Sequence, residues 1–428
     1  MSPTHPLFPS LSRVHTALGL TILTQGIPGP LGTLCEIHTA TQTVAAEVVG
    51  FREQLQAVLM PLGTLTQLTP GDPVIGGAAS DMIPAGEDVL GRFLDGLGQP
   101  LDGAPLHATV RRSWSLEPLK PNDRRGITTP WDTGISILDT LLTLGQGQRV
   151  GIFAGAGLGK TTLLHQILRQ SDYDIAVVAL IGERGREAAE FWQRLAVDAR
   201  PKTVVVCATA EQPPLVRVHA LDTALAIADS LASSGKHLLL VVDSMTRVAH
   251  AVREVAVAAG ELPTARGYPP SLFARLPQWI ERAGATCFGT ITALYTILLE
   301  ADDMADPIGD AIRGLVDGHI ILSRVLADQH RFPAIDPLQS LSRLQSDFIA
   351  EDQWSLVGTV RRALSLARDA EDLRALGAYH MGADPLRDAA LRLSDRFNAW
   401  SPQSFYEFRD PKKSWGDLAA IVQESQVS

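Results

Sequence analysis

One short stretch of the chain, residues 154–161, limits the possible folds more than any other. It reads Ala-Gly-Ala-Gly-Leu-Gly-Lys-Thr and has the spacing of a phosphate-binding loop, except that Ala154 stands where the strict pattern has glycine. An apolar strand pattern (149–153) runs into it, and an apolar helical pattern (161–169) leaves it. Glycines let successive backbone N–H groups converge on phosphate oxygens, and the helix N-terminus adds its positive dipole end. The strand-loop-helix order therefore predicts a nucleotide-phosphate site.

The side chains of this loop have distinct expected roles. Lys160 would reach the β and γ phosphates as a point charge, and the Thr161 hydroxyl would ligate Mg²⁺. The alternative is a glycine-rich connection with a solvated lysine, which the flanking patterns disfavour. We therefore expect ATP and Mg²⁺ as bound groups, with the phosphates held by Ala154, Gly155, Ala156, Gly157, Leu158, Gly159, Lys160, Thr161 and Thr162.

The pattern of apolar residues along the chain changes twice, which predicts three domains. Short apolar runs broken by turn residues over 18–74 indicate a small β-barrel. Beyond Gly145, strand patterns (149–153, 175–181, 203–207, 238–242, 286–292) alternate with helical patterns (161–169, 186–195, 214–233), as in a parallel sheet covered by helices. Helical patterns alone follow at 357–366, 369–376 and 385–400. The predicted domains are 1–90, 91–345 and 346–428.

Two acidic side chains follow apolar strand patterns and are candidates for chemistry. Asp243 ends the run 238–242, and such a strand delivers its carboxylate to the edge of the sheet where a phosphate loop lies. Its alternative role is to cap the next helix. Glu183 follows the run 175–181 and could polarise a water for attack on the γ-phosphate. Taken alone, its charged segment could equally be a solvated face.

Composition excludes several classes of protein. The 428 residues carry 37 basic and 47 acidic side chains and a net charge of −10, which disfavours general binding to a phosphate backbone, so no nucleic-acid partner is expected. Cys35, Cys207 and Cys287 lie far apart, which argues against a zinc site or a disulfide framework. No apolar run approaches the roughly 20 residues of a membrane helix. We expect a cytoplasmic protein.

Several segments together resemble a known family. The phosphate loop, 182–184, 242–244, 266–271 and 333–343 are similar to the α/β subunits of rotary ATPases, over nearly the whole chain. Segments 46–51, 60–63, 90–98 and 377–379 are most similar to the ATPases of flagellar and injectisome type III protein export. The sequence after Gly377 lacks the acidic stretch that the catalytic subunit of ATP synthase carries, which favours export over synthesis. Flagellar and injectisome forms both stay open, with a slight preference for the flagellar form.

The resemblance implies a fold and a set of roles. The fold is α/β, with a RecA-like P-loop NTPase core between an N-terminal small β-barrel and a C-terminal helical domain. Glu183 would activate water, Lys160 and Arg184 would contact the γ-phosphate, and Arg343 would reach into the site of a neighbouring subunit as an arginine finger. Magnesium would be steadied through water by Glu187 and Asp243. Adenine would stack on aromatic residues of the C-terminal domain, for which Trp354 and Phe405 are the candidates, Phe405 competing with Trp400 and Tyr406.

The resemblance also implies partners and a place in the cell. One chain carries both the loop and the finger, so a closed head-to-tail ring of identical subunits, a homohexamer, would complete every site. Its expected partners are a stator-type regulator, a central stalk protein, export substrates with their chaperones, and a membrane export gate. The ring would lie at the inner face of the bacterial inner membrane, where it would release and unfold export substrates.

Three other functions are alternatives to export. A rotary subunit coupled to proton flow would need a stalk and a membrane rotor. A hexameric RNA motor would need stacking aromatics in its barrel, yet Phe51 is the only aromatic residue between Val14 and Gly91. A scaffold that binds nucleotide without hydrolysing it would not need Glu183 or Arg343.

Overall fold

The N-terminal part is a closed antiparallel barrel, as the short apolar runs predicted. The computed structural model describes residues 10–426 except 53, 54, 116, 234, 301, 302 and 304. Within them the barrel strands are β1 (Ser10–Leu18), β2 (Thr21–Gln25), β3 (Leu34–His38), β4 (Thr43–Arg52), β5 (Gln56–Pro61) and β6 (Pro73–Gly76). Their order is β1-β2-β5-β4-β3-β6, and β1 pairs with β6 to close the barrel. Alternate side chains such as Val14, Ile37, Val48, Leu59 and Val74 fill its interior.

Short ribbons connect the barrel to the central domain. They are formed by β7 (Met82–Ala85) with β9 (Val110–Ser113), and by β10 (Pro130–Trp131) with β11 (Leu144–Gly145). Strand β8 (Phe93–Asp95) lies between β7 and β9 in the chain but joins the central sheet. Helix α1 (Ser136–Leu141) separates β10 from β11.

A largely parallel sheet forms the central domain. Its further strands are β12 (Arg149–Ala154), β13 (Ile175–Ile181), β14 (Thr203–Ala208), β15 (His237–Asp243), β16 (Gly284–Ala285), β17 (Thr290–Leu298), β18 (Gly318–Ile321) and β19 (Leu341–Ser342). The order is β19-β18-β12-β17-β15-β13-β14-β8, with β16 beside β17. Strands β16 and β19 pair antiparallel to their neighbours, and the other pairs in the described part of this sheet are parallel.

Helices cover both faces of this sheet. They are α2 (Lys160–Gln170), α3 (Gly185–Arg194), α4 (Pro214–Ala232), α5 (Met245–Ala259), α6 (Pro270–Ile280), α7 (Pro307–Leu315) and α8 (Arg324–Asp328). Side chains of β13 alternate between two separate hydrophobic clusters: Val177 and Ala179 lie in one, Ala176 and Val178 in the other. Both faces are therefore buried, which is why strands such as β13 are continuously apolar.

The C-terminal domain is helical, as predicted. It consists of α9 (Gln345–Phe348), α10 (Glu351–Ala375), α11 (Pro385–Trp400) and α12 (Pro411–Gln426). Arg361 of α10 donates hydrogen bonds to the carbonyls of Leu141 and Ser340, and Arg368 lies 3.1 Å from Asp336, so α10 is fixed to the central domain. Across the described ranges, no helix combines the length and apolar character needed to span a bilayer.

A buried histidine joins the barrel to the central domain. His219 of α4 places Nε2 2.7 Å from Glu47 Oε2 on β4, and Nδ1 3.4 Å from Asp222 Oδ2. Its ring stacks on Trp114 with centroids 4.5 Å apart. Burial lowers the pKa of His219, but the Asp222 and Glu47 carboxylates outweigh it and raise the pKa to about 9.

This charge predicts a pH-dependent stability. Because the folded pKa lies above the unfolded value, the stabilisation is fully present below about pH 6.5 and is lost as pH rises through about 9. We expect His219→Gln to lower the free energy of unfolding by up to about 3 kcal/mol at neutral pH. Urea unfolding between pH 6.5 and 9.5 should show the difference from wild type shrinking as pH rises. The exposed His380→Gln variant is the control, and a pH-independent difference for His219→Gln would contradict the assignment.

Candidate functional site

The predicted phosphate loop connects β12 to α2. Ala154 is still a strand residue, paired with Leu298, and its carbonyl accepts a hydrogen bond of 3.0 Å from the Leu299 N–H. The Leu158 side chain is buried and anchors the loop. Gly159 has φ +86°, a left-handed conformation that favours glycine, directly before α2 begins at Lys160. Since the first N–H groups of a helix lack partners inside the helix, this end is suited to bind phosphate.

Three predicted side chains meet at the same end of the sheet. The Lys160 ammonium group forms an ion pair with Asp243 Oδ1 and lies 3.6 Å from Glu183 Oε1. Asp243 is 2% exposed and also accepts a 2.8 Å hydrogen bond from the Thr296 hydroxyl. The register explains the meeting, because Asp243 pairs with Leu180 near the end of β13. The strands that carry both acids thus end together, beside the loop.

The turn that carries Glu183 depends on Gly182. This glycine has φ +74°, and a Cβ at position 182 would lie 2.7 Å from the Cβ of Arg247. A side chain is therefore excluded there, and the tight turn places the Glu183 carboxylate near Lys160. Burial raises the pKa of Glu183; Lys160 opposes this effect, while Asp243 and Glu187 add to it. A carboxylate with raised pKa is a stronger base, which suits water activation.

The remaining metal-site candidates fit magnesium bound together with a nucleotide. Thr161 is exposed in the first turn of α2, and the Glu187 side chain is 43% exposed in the first turn of α3. Hydroxyl and carboxylate oxygens are ligands that Mg²⁺ prefers, and protein-bound Mg²⁺ usually keeps several waters beside one or two protein ligands and substrate phosphates. Accordingly, the described residues contain no cluster of three or more His, Cys, Asp or Glu side chains that would form a metal cage alone. Thr162, Ala156 and Gly157 are also exposed at the loop.

The two candidate arginines are placed differently. Arg184 precedes α3, is 81% exposed, and lies 3.8 Å from Glu187, close to the Glu183 turn. Arg343 follows β19, whose Ser342 pairs with Gly318 at the start of β18, and Gly318 pairs with Val150 near the start of β12. The loop lies at the other end of β12, about 13 Å further along the strand. The structure therefore does not bring Arg343 to the loop of its own chain.

Phe332 is an aromatic residue at the loop that the sequence analysis missed. A Cβ at position 159 would lie 3.4 Å from Cδ1 and Cε1 of Phe332, so this ring packs directly against the glycine that precedes α2. The Phe332 carbonyl accepts a 2.8 Å hydrogen bond from the Gln403 N–H. One signal was available, because Phe332 immediately precedes the matched segment 333–343.

Phe405 belongs to a segment that packs on α2, at the end of the helix that lies away from the loop. The Gln170 side chain donates to the carbonyl of Phe405 at 3.3 Å. Of its rivals, Trp400 packs against Phe397 with centroids 5.6 Å apart, and Tyr406 is 72% exposed beneath the Arg169 guanidinium. The geometry favours Phe405 among these three.

Trp354 is placed towards the opposite end of α10. Further along this helix, Arg368 contacts Asp336, whose N–H bonds the carbonyl of Ile321 at the loop end of β18. Trp354 lies almost four turns before Arg368, on the side away from the loop, and is 52% exposed. We therefore replace Trp354 by Phe332 as the aromatic candidate that accompanies Phe405.

Comparison with known proteins agrees with this geometry. Residues 134–342 match the nucleotide-binding domain of the ATP synthase alpha/beta family, and residues 349–420 match the C-terminal domain of the type III secretion ATPase EscN. The flagellum-specific ATP synthase of Treponema pallidum is 41% identical over 96% of this chain and 93% of its own length. The type 3 secretion system ATPase of Xanthomonas euvesicatoria is 43% identical over 90% of this chain and 88% of its own.

A solved structure is also similar over almost the whole chain. The assembled ATPase EscN of enteropathogenic E. coli superposes with a TM-score of 0.91 at 36% identity, covering 96% of this chain and 100% of EscN. The chain belongs to the flagellar and type III secretion ATPases of the ATP synthase alpha/beta family. This export ATPase therefore has the predicted fold, and the matches favour export over the RNA-motor and proton-coupled alternatives.

The geometry predicts which side chains are required for ATP hydrolysis. We expect Lys160→Ala and Glu183→Gln each to reduce ATP hydrolysis to background, a loss of roughly 10² to 10⁴-fold for the proposed base. Phosphate release at saturating ATP measures the loss. Glu190→Gln is the matched control, because Glu190 lies on α3 with 45% of its side chain exposed and contacts Arg186. Unchanged turnover in either site variant would refute the assignment.

Proposed function

We propose that this chain is the ring-forming ATPase of a bacterial type III export apparatus, and that it hydrolyses ATP at the seam between neighbouring copies. The observation that carries the proposal is the separation of charges along one sheet. Lys160, Glu183 and Asp243 lie at one end, while Arg343 lies at the other end and is exposed. A head-to-tail ring brings the two ends of different copies together.

Within one copy, each side chain has a defined task. The loop N–H groups and Lys160 bind the phosphates, and Lys160 with Arg184 contacts the γ-phosphate. Glu183 orients a water and accepts its proton, helped by a raised pKa. When bound, Mg²⁺ offsets the phosphate charge. Thr161 would hold the ion directly, and Glu187 and Asp243 would hold its waters.

The adenine would lie between Phe332, at the loop, and Phe405, further along α2. Phe332 packs on Gly159, and Phe405 belongs to the segment that packs on α2. Aromatic faces stack on a base without needing a sequence-specific hydrogen bond. We assign Phe332 and Phe405 to this role.

Arg343 completes the site of the next copy. Its guanidinium would stabilise the charge that develops on the γ-phosphate, an effect worth roughly 10³ to 10⁵ in rate in related systems. Since every chain carries both halves, a homohexamer would contain identical sites. The similarity to EscN, whose structure is described as assembled, supports a ring.

The helical domain offers a surface for a partner at the tip between α10 and α11. Leu376, Met381 and Leu386 are 81%, 54% and 66% exposed there. EscN has been solved in complex with its central stalk EscO, with a TM-score of 0.86 to this chain, 35% identity, and coverage of 96% of this chain and 100% of EscN. We propose that a central stalk protein contacts this tip.

The wider role follows from the family. The ring would work at the inner face of the bacterial inner membrane with a stator-type regulator and an export gate, releasing substrates from chaperones and unfolding them. Co-purification from the native cell tests this role. Export components should accompany the chain, whereas proton-channel subunits in their place would contradict it.

The shared site predicts complementation between two inactive variants. Arg343→Ala keeps an intact loop, and Lys160→Ala keeps an intact finger, so mixed rings regain some working seams. In a 1:1 mixture of independent seams, about one quarter should be intact, with a matching share of wild-type hydrolysis. Each variant alone is the control. If phosphate release stays at background at every mixing ratio, the arginine does not act across the seam.

A further inference from the structure

The residue before Phe332 connects the nucleotide site to the helical domain. Arg331 places Nη2 2.5 Å from Asn398 Oδ1 and 3.3 Å from the Ser401 hydroxyl, and its Nη1 lies 3.4 Å from Gln329 Oε1. Asn398 lies in the last turn of α11, and Ser401 is the residue that ends this helix. The guanidinium thus sits at the C-terminus of α11.

Two effects favour a cation at this helix end, and they act against burial, which lowers the pKa of Arg331. The last carbonyl groups of a helix lack partners inside it and carry a partial negative charge. Hydrogen bonds from a charged donor are also stronger than neutral ones. Arg331 is half-buried, so its orientation is held by these contacts. The position of Phe332 is therefore linked to the end of α11.

The chain that leaves α11 also contacts the segment that carries Phe332. The Gln403 N–H binds the Phe332 carbonyl at 2.8 Å, and the Gln403 side chain donates to the Gly134 carbonyl at 2.6 Å. Phe405 follows two residues later, against Gln170 of α2. Both aromatic residues assigned to adenine are thus anchored near the C-terminus of α11.

Packing at this junction is incomplete. A cavity of about 160 Å³ lies between the segment around Phe332 and helices α10 and α11, lined among others by Arg331, Pro333, Asn398 and Ser401. Arg331 therefore borders open space on this side, and its hydrogen bonds to Asn398 and Ser401 hold the guanidinium in place.

We propose that Arg331 is a positioning residue for purine-base recognition, which holds the Phe332 ring over the phosphate loop by binding the C-terminus of α11. The proposal rests on the assignment of Phe332 and Phe405 to adenine. Affinity for the base then depends on the position of α11. Affinity for the phosphates does not depend on the position of α11, because Lys160 and the loop belong to the central domain.

The test compares the binding of ATP, which carries a purine base, with the binding of tripolyphosphate, which has no base. In a Glu183→Gln background, calorimetric titration gives the Kd for ATP and for inorganic tripolyphosphate. Arg331→Ala should raise the Kd for ATP about tenfold, a part of what one base stacking contact provides, and leave the Kd for tripolyphosphate unchanged. Asn398→Ala should act in the same direction but less, and Arg331→Lys should lie between alanine and wild type. The control is Arg387→Ala, at the far end of α11, which should change neither.

The outcomes separate the positioning role of Arg331 from the adenine assignment on which it rests. An unchanged Kd for ATP in Arg331→Ala, or equal losses for both ligands, would overturn the positioning role. Phe332→Ala provides the comparison: if it also leaves ATP binding unchanged, the adenine assignment itself fails. If Phe332→Ala weakens ATP binding and Arg331→Ala does not, only the inference fails. If Arg331→Ala does not fold, Asn398→Ala and Arg331→Lys provide the test. In both, the Kd for ATP should rise relative to the Kd for tripolyphosphate.

Discussion

The contact of the Lys160 ammonium group with Asp243 and Glu183 is the interaction around which the site is built. It forms because parallel strands β13 and β15 end beside the loop that follows β12, so side chains distant in sequence meet at one edge. Placing two carboxylates in a buried position is costly unless a cation or hydrogen-bond donors accompany them. Lys160 and the Thr296 hydroxyl meet that requirement. Burial gives Glu183 its raised pKa, to which the charge of Asp243 adds and which the charge of Lys160 opposes.

The direction of the sheet separates Arg343 from the phosphate loop of its own chain. The loop needs the C-terminal end of β12, where backbone N–H groups of α2 are available. Arg343 is fixed near the N-terminal end, because β19 pairs antiparallel with the start of β18 and the Arg343 N–H binds the Asp317 carbonyl. Small movements of side chains cannot join two ends of one strand. The topology of the sheet thus supports the proposal that the site is shared between copies.

Patterns along the sequence predicted the elements that are buried on both faces. The bounds of β13 and α11 match the expected ones, because β13 is an uninterrupted apolar run, α11 has a helical period of apolar residues, and both have clear ends. Elements that are only partly buried were harder to predict from the sequence. The elements that were not predicted include strands β1, β6 and β18 and helices α5, α6, α7 and α12. Helix α10 was predicted as two helices, and β17 begins later than expected, after a turn closed by the Thr286 hydroxyl. Their ends are set by tertiary contacts, which periodicity does not report.

Site residues that follow a local sequence pattern were also easier to predict than those that only tertiary contacts bring to the site. The loop, Glu183 and Asp243 follow strand patterns and were found, whereas Phe332 reaches the loop through the fold of a later segment. That segment and the partner surface lie at opposite ends of α11, since Arg331 contacts its C-terminus and Leu386 is exposed in its first turn. A helix of 16 residues spans about 24 Å and is stiff over that length. If the proposed stalk contact moves this tip, α11 would transmit the movement to Arg331 and to the segment that carries Phe332.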